Sequence, residues 1–106
     1  MKEFIFNKKD YSTYKEFYIH LYKDLNGKSI LDWEDYENLE YDANMLDEFL
    51  WYCQDRNIHF IFKNFNLDKI KNYKNYENYQ WNIILEVIQD FVKKYPNNEL
   101  EFINED

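Results

Sequence analysis

The stretch Ile58-His59-Phe60-Ile61-Phe62 decides the fold of this chain. It is short, apolar and rich in aromatic and β-branched residues, which is typical of the central strand of a sheet. Two further apolar runs, residues 3–7 and 100–103, have a similar length and character. The sequence therefore predicts three strands. Because their residues are mostly apolar, we expect the strand at 3–7 to be buried on both faces, as in parallel sheets.

Helical patterns lie between these strands. Apolar residues recur every three or four positions over residues 14–25, before Gly27, and again over residues 42–55. The strongest such pattern covers residues 81–95 and ends at Pro96. Strands alternating with helices predict an α/β fold, with a small three-stranded parallel sheet packed against three to four helices.

Length and charge limit the classes of function. The 106 residues predict a single domain spanning residues 1–106, and the net charge of −8 repels nucleic acid and membranes over most of its surface. The expected partner is therefore a basic protein. Cys53 is the only cysteine, and no apolar run has the length of a signal peptide or a membrane span. These features predict a cytoplasmic protein.

Negative charge and aromatic rings are concentrated in residues 30–55. This stretch holds nine carboxylates, and neither lysine nor arginine occurs between Lys28 and Arg56. Rings anchor a protein interface and carboxylates steer a basic partner towards it. The predicted partner-binding residues are Trp33, Asp35, Tyr36, Glu40, Tyr41, Asn44, Asp47, Glu48, Trp51 and Asp55.

The predicted helix over residues 42–55 has two different faces. At 100° per residue, one face collects Leu46, Phe49, Leu50, Cys53 and Asp42, and the opposite face collects Asn44, Asp47, Glu48, Trp51 and Asp55. Trp51 then stands among carboxylates, which favours a binding role. The alternative is that Trp51 tucks beneath the segment around Trp33 and that the acids are only solvated.

Other kinds of site have weaker support. Paired carboxylates can act in acid–base catalysis, but these have no predicted cleft and no convergent histidine or arginine, so we expect no enzyme activity. Residues 32–37 carry carboxylates that could supply the oxygen ligands calcium prefers, but they lack the glycine of a calcium loop. His59 and Cys53 fit structural positions, and no glycine-rich loop suggests a nucleotide. We expect no metal and no cofactor.

A basic cluster interrupts the acidic chain at Lys69, Lys71 and Lys74, next to Tyr73 and Tyr76. Lysines among aromatic rings are one signature of a nucleic-acid patch. The net charge favours instead a solvated linker over residues 63–78, with room for a short turn of helix, and no direct contact with nucleic acid.

The segment Asp42-Ala43-Asn44-Met45-Leu46-Asp47-Glu48-Phe49-Leu50 resembles a motif of the barstar family of ribonuclease inhibitors. In this alignment Asn44 and Glu48 occupy the family's two key acidic positions, and Asp47 stands where an aromatic residue is usual. Leu39-Glu40 replaces the Tyr-Gly pair that precedes the helix in the family. The resemblance extends to the strand at 58–62, the last helix and the final strand. The family has a further acidic residue near that last helix.

This resemblance implies a barstar-like fold and a function. The chain is expected to be a bacterial immunity protein, or antitoxin, that occludes the active site of a basic toxin, a ribonuclease in the first instance, as a monomer in a 1:1 complex. The alternative from composition alone is an acidic adaptor whose basic partner is unrelated to toxins.

Overall fold

The computed structural model describes residues 2–26 and 41–104 of the chain. Within these residues there are three strands and four helices, with one short 3-10 turn after the first strand. The strands are β1 (Lys2–Asn7), β2 (Ile58–Lys63) and β3 (Glu99–Ile103), and the helices are α1 (Tyr14–Asn26), α2 (Ala43–Tyr52), α3 (Leu67–Lys71) and α4 (Tyr76–Lys94). The predicted α/β class is confirmed.

All three strands belong to one parallel sheet in the order β1-β2-β3. The central strand β2 pairs with both neighbours, so that Phe60 lies beside Phe4 of β1 and beside Leu100 of β3. The prediction of a three-stranded parallel sheet with residues 58–62 at its centre is confirmed.

In the described part of the chain, helices cover one face of this sheet. Phe4 and Phe60 point to that face and are fully buried. On the opposite face Ile5 is 43% exposed, and Glu3 of β1 and Glu101 of β3 are exposed. The expectation that the strand at 3–7 is buried on both faces is therefore wrong. The strand order never reverses, and right-handed crossovers that step in one direction place their helices on the same side.

Aromatic rings fill the space between sheet and helices. Trp81 of α4 is fully buried, and its ring centroid lies 5.6, 5.7 and 5.1 Å from those of Phe6, Phe17 and Phe65. Tilted and edge-to-face pairs at such distances add about 0.5–1.5 kcal/mol each to the burial of apolar area. Part of the high aromatic content is therefore structural.

The segment after β2 is more ordered than predicted. The side chains of Asn66 and Asn75 each accept a backbone N–H from the following turn and so begin α3 and α4. Consequently α4 begins at Tyr76 rather than at Trp81, and Ile70 of α3 is buried in the core. The short helical turn expected within residues 63–78 is α3, whereas the solvated linker predicted for that segment is wrong where Ile70 packs into the core and where α4 begins.

The turn after α4 is tied to the central strand. Asn98 is only 2% exposed. Its side-chain oxygen accepts the N–H of Ile58 at 2.7 Å, and its amide group donates to the carbonyl of Tyr95 at 3.1 Å. These bonds hold the end of α4 against the start of β2, close to the site described next.

Candidate functional site

Helix α2 carries the centre of the predicted surface. A helix of 10 residues is marginal on its own, so packing must hold it, and Leu46 and Leu50 are fully buried. Asp42 precedes the helix, and its carboxylate accepts the N–H of Met45 at 2.9 Å. The assignment of Asp42 to the apolar face of the helix is therefore wrong, because this residue is the N-cap.

The end of α2 also differs from the prediction. The helix ends at Tyr52, and the next residue, Cys53, donates its N–H to the carbonyl of Leu50 at 2.9 Å in a tightened last turn. Asp55 therefore lies in the exposed turn before β2 and not on the face of the helix.

The face of α2 opposite the core is acidic and aromatic. Asp47 and Glu48 are exposed, and Trp51 and Tyr52 are 52% and 69% exposed. The centroids of the two rings lie 5.1 Å apart in an edge-to-face arrangement. Adjacent large rings at the surface offer apolar area for a partner to cover. Trp51 is thus exposed on this face, and the segment around Trp33, beneath which the alternative would tuck it, lies outside the described residues.

A groove separates this face of α2 from the last turns of α4. We call it the acidic groove; it is lined by Asp47, Glu48, Trp51, Tyr52, Asp90, Phe91, Lys94 and Tyr95 and has a volume of about 370 Å³. Phe91 is buried, so the groove has an apolar part beneath its charged rim. Asp90 adds a carboxylate from α4 to the two from α2.

The charge of the acidic groove is negative, since three carboxylates meet one ammonium group. The Nζ of Lys94 lies 5.6 Å from the centroid of the Tyr95 ring, within the range of a cation–π contact. A guanidinium group from a partner would find carboxylates for paired hydrogen bonds and the Trp51 ring for stacking. The groove is therefore suited to cationic side chains.

The predicted site residues are distributed in three ways. Those that meet in the acidic groove are Asp47, Glu48 and Trp51. Asn44 is exposed on the first turn of α2, and Tyr41 is half-buried with its ring 5.5 Å from that of Tyr18. Trp33, Asp35, Tyr36 and Glu40 lie outside the described residues.

Sequence reasoning missed the residues that α4 contributes, chiefly Asp90 and Lys94, and it did not include Tyr52 among the predicted partner-binding residues. A weak signal existed for Tyr52, which directly follows Trp51. Asp90 and Lys94 are spaced four residues apart and so share one face of α4. Their approach to α2 depends on tertiary packing, which no local pattern encodes.

The histidines outside the groove make local contacts. His59 Nε2 lies 3.4 Å from a carboxylate oxygen of Glu101, and His20 Nε2 lies 3.2 Å from the carbonyl oxygen of Ile5. Among the described residues, no group of three or more His, Cys, Asp or Glu side chains is arranged to hold a metal ion. The calcium-like segment 32–37 lies outside those residues.

Cys53 lies in the core beneath α2. It is 2% exposed, and burial raises the pKa of its thiol, an effect that the Arg56 guanidinium partly offsets. A buried thiol with a raised pKa is a poor nucleophile. The prediction that Cys53 is a small core residue is confirmed.

Two buried tyrosines of α1 lie beneath α2 and its cap. Tyr18 and Tyr22 are 0% and 4% exposed, and the Tyr22 hydroxyl donates to the carbonyl of Met45 at 3.3 Å. Burial raises the pKa of both phenols above the ordinary value of 10.0, and the Glu48 carboxylate raises that of Tyr22 further. The support of the acidic groove therefore depends on neutral phenols.

We expect the free energy of unfolding to fall at alkaline pH. Because the folded pKa values are raised, the folded chain keeps protons that the unfolded chain releases above pH 10. This stabilisation is complete below that pH and is lost above it, by up to about 1.4 kcal/mol per pH unit for each phenol. Urea unfolding on both sides of pH 10 measures the slope. In a Tyr18→Phe, Tyr22→Phe variant the free energy of unfolding should fall less steeply with rising pH than in the wild type. The exposed control Tyr52→Phe should keep the wild-type slope. Equal slopes for the two variants would contradict the assignment of the pH dependence to the buried phenols.

Comparison with known proteins found no relative of this chain. No protein-family model matches the chain, and neither the curated proteins nor the solved structures gave a match. Among the described helices, none is both long and apolar enough to cross a bilayer.

Proposed function

We propose that this protein is an immunity protein that binds a basic toxin, a ribonuclease, and occludes its active site with the acidic groove. The observation that carries the proposal is the meeting of Asp47, Glu48 and Asp90 around the exposed rings of Trp51 and Tyr52. A ribonuclease holds a phosphodiester strand with cationic groups and stacks its bases on flat surfaces. Carboxylates interleaved with rings offer a comparable pattern of charge and stacking faces.

The resemblance to the barstar family supports the same target. Asp47 and Glu48 lie within the resembling motif, and Glu48 takes one of its key acidic positions. The family also has a further acid near the last helix, and Asp90 is a carboxylate on α4 that faces the motif across the groove. The small α/β fold with a parallel sheet is the one that this resemblance implies.

In the proposed complex the carboxylates of this surface would govern association, and its aromatic rings would govern dissociation. The net charge of −8 and the carboxylates of the groove attract a basic partner over distance and raise the association rate. Trp51 and Tyr52 lose water on contact and slow dissociation. The chain would then block the toxin by binding alone, without catalysing a reaction. The complex would form in the cytoplasm, with one copy of the chain per toxin.

Truncation of the exposed indole should weaken the complex. We expect Trp51→Ala to reduce affinity for the toxin by about 30-fold or more, equivalent to about 2 kcal/mol, because the ring is a central apolar anchor. The melting temperature should barely change, since a side chain that is 52% exposed contributes little to the core. Isothermal titration and thermal unfolding measure the two quantities.

Tyr73→Ala is the matched control for this substitution. Tyr73 is an aromatic residue with 44% exposure that lies outside the acidic groove, so its loss should leave toxin affinity unchanged. If Trp51→Ala bound the toxin as tightly as the wild type, or if both variants weakened it equally, the groove would not be the interface.

Co-expression tests the function itself. The product of the neighbouring gene is produced with and without this chain, the pair is purified, and RNA cleavage is assayed. The proposal expects a stable complex in which cleavage is suppressed. A complex that leaves cleavage unchanged would favour the adaptor alternative, and the absence of both complex and inhibition would refute the proposal for that pair.

A further inference from the structure

A second exposed aromatic surface lies at the opposite end of α4 from the acidic groove. Tyr73, Tyr76 and Tyr79 are 44%, 65% and 39% exposed. The ring centroids of Tyr73 and Tyr79 lie 5.1 Å apart, and those of Tyr76 and Tyr79 lie 6.2 Å apart. The Tyr79 ring contacts both others, so the three exposed rings form one patch. Contiguous exposed patches of this kind mark interaction sites.

Lysine and asparagine side chains lie beside these rings. A groove of about 550 Å³ between α3 and the first turn of α4 is lined by Asp68, Lys69, Asn72, Lys74, Asn75 and Asn78. Two lysines, Lys69 and Lys74, meet one carboxylate, Asp68, in this groove, so its local charge is positive although the chain carries −8. Lys71 lines a separate groove with Glu86. We call this groove together with the three rings the tyrosine–lysine surface.

The acidic groove is too distant to cancel this local charge. Tyr76 and Asp90 are 14 positions apart on α4, which corresponds to about 21 Å along the helix. At physiological ionic strength the Debye length is about 8 Å, so charges at that separation are largely screened. The expectation that the chain avoids nucleic acid rests on net charge alone and does not apply to this surface.

We propose that the tyrosine–lysine surface binds single-stranded nucleic acid. Adjacent exposed rings supply stacking faces for bases, and lysines beside them neutralise phosphates; this is the combination used by proteins that bind single strands without sequence preference. The asparagine amides both donate and accept hydrogen bonds, as base edges and sugars do.

Fluorescence anisotropy with a labelled single-stranded RNA of about 12 nucleotides tests the proposal. With Lys69 and Lys74 on phosphates, raising the salt from about 50 to about 150 mM should weaken binding about fivefold. A Lys69→Gln, Lys74→Gln variant should lose most of the affinity, since these two exposed lysines supply the cations of the groove. A Tyr73→Ala, Tyr79→Ala variant should lose tenfold or more if bases stack there.

The matched control removes the same charge elsewhere. Lys2 and Lys23 are exposed, so replacing both by glutamine should leave RNA affinity within about twofold once the loss of net charge is screened. Circular dichroism verifies the fold of every variant, and the lysine variants do not touch the core. No toxin is present in this assay, so its result is independent of the proposed immunity function.

Three outcomes would overturn the proposal. The first is the absence of saturable RNA binding at low salt. The second is equal loss of affinity in the two lysine double variants. The third is unchanged RNA affinity in the tyrosine variant together with equal competition by poly-glutamate of the same length, which would assign the surface to an acidic protein instead.

Discussion

A variant carrying Asp47→Lys and Glu48→Lys is expected to lose at least about 1,000-fold in affinity for the toxin, equivalent to about 4 kcal/mol. Both carboxylates lie in the acidic groove, and reversing them replaces attraction by repulsion at the centre of the proposed interface. Removing one partner of a buried charge pair already costs about 2–5 kcal/mol. The association rate should fall too, because steering depends on the same charges.

The fold of this variant should be unaffected. Asp47 and Glu48 are exposed, and lysine is a good helix former, so the free energy of unfolding should change by less than about 0.5 kcal/mol. Asp10→Lys with Glu86→Lys is the matched control, since it makes the same change in net charge at exposed positions outside the groove. Equal weakening by the two double variants would mean that net charge, and not the groove, determines binding.

Replacing Trp81 by alanine is expected to cost about 3–5 kcal/mol of stability. The ring is fully buried and contacts Phe6, Phe17 and Phe65, so its removal leaves a cavity between the sheet and α4. Domains of this size are typically stable by only about 5–15 kcal/mol. Urea unfolding should therefore show a large drop in the transition midpoint.

Trp81→Phe separates the loss of volume from the loss of the indole N–H. Among the described residues the Trp81 Nε1 has no hydrogen-bond partner, and a buried donor without a partner is itself unfavourable. Phenylalanine keeps much of the ring packing and removes that donor, so we expect it to cost less than half as much as alanine. A cost below about 1 kcal/mol for Trp81→Ala would contradict the position of this ring in the core.

The sheet could be predicted from the sequence because its strands are short apolar runs of clear β character. Residues 58–62 indicated the central strand, and the alternation with helices indicated parallel pairing. The exposure of Ile5 was missed because an apolar side chain does not reveal which face is covered. The start of α4 was missed because Asn75 reads as linker composition until its side chain is seen to cap a helix.

The site was only half predictable. The periodicity of α2 placed Asp47, Glu48 and Trp51 on one exposed face, as the structure has them. Asp90 was not found, because its role arises from the packing of α4 against α2 and not from any local pattern. The exposed tyrosines at the start of α4 were likewise not separable by composition from those that fill the core.

The rate of RNA cleavage by the neighbouring gene's product, measured as this chain is added, tests the central claim most directly. We predict that cleavage falls to the background rate at one copy of the chain per toxin, and that the Asp47→Lys, Glu48→Lys variant leaves cleavage at its full rate. Full cleavage in the presence of saturating wild-type chain would contradict the claim that the acidic groove occludes a ribonuclease active site.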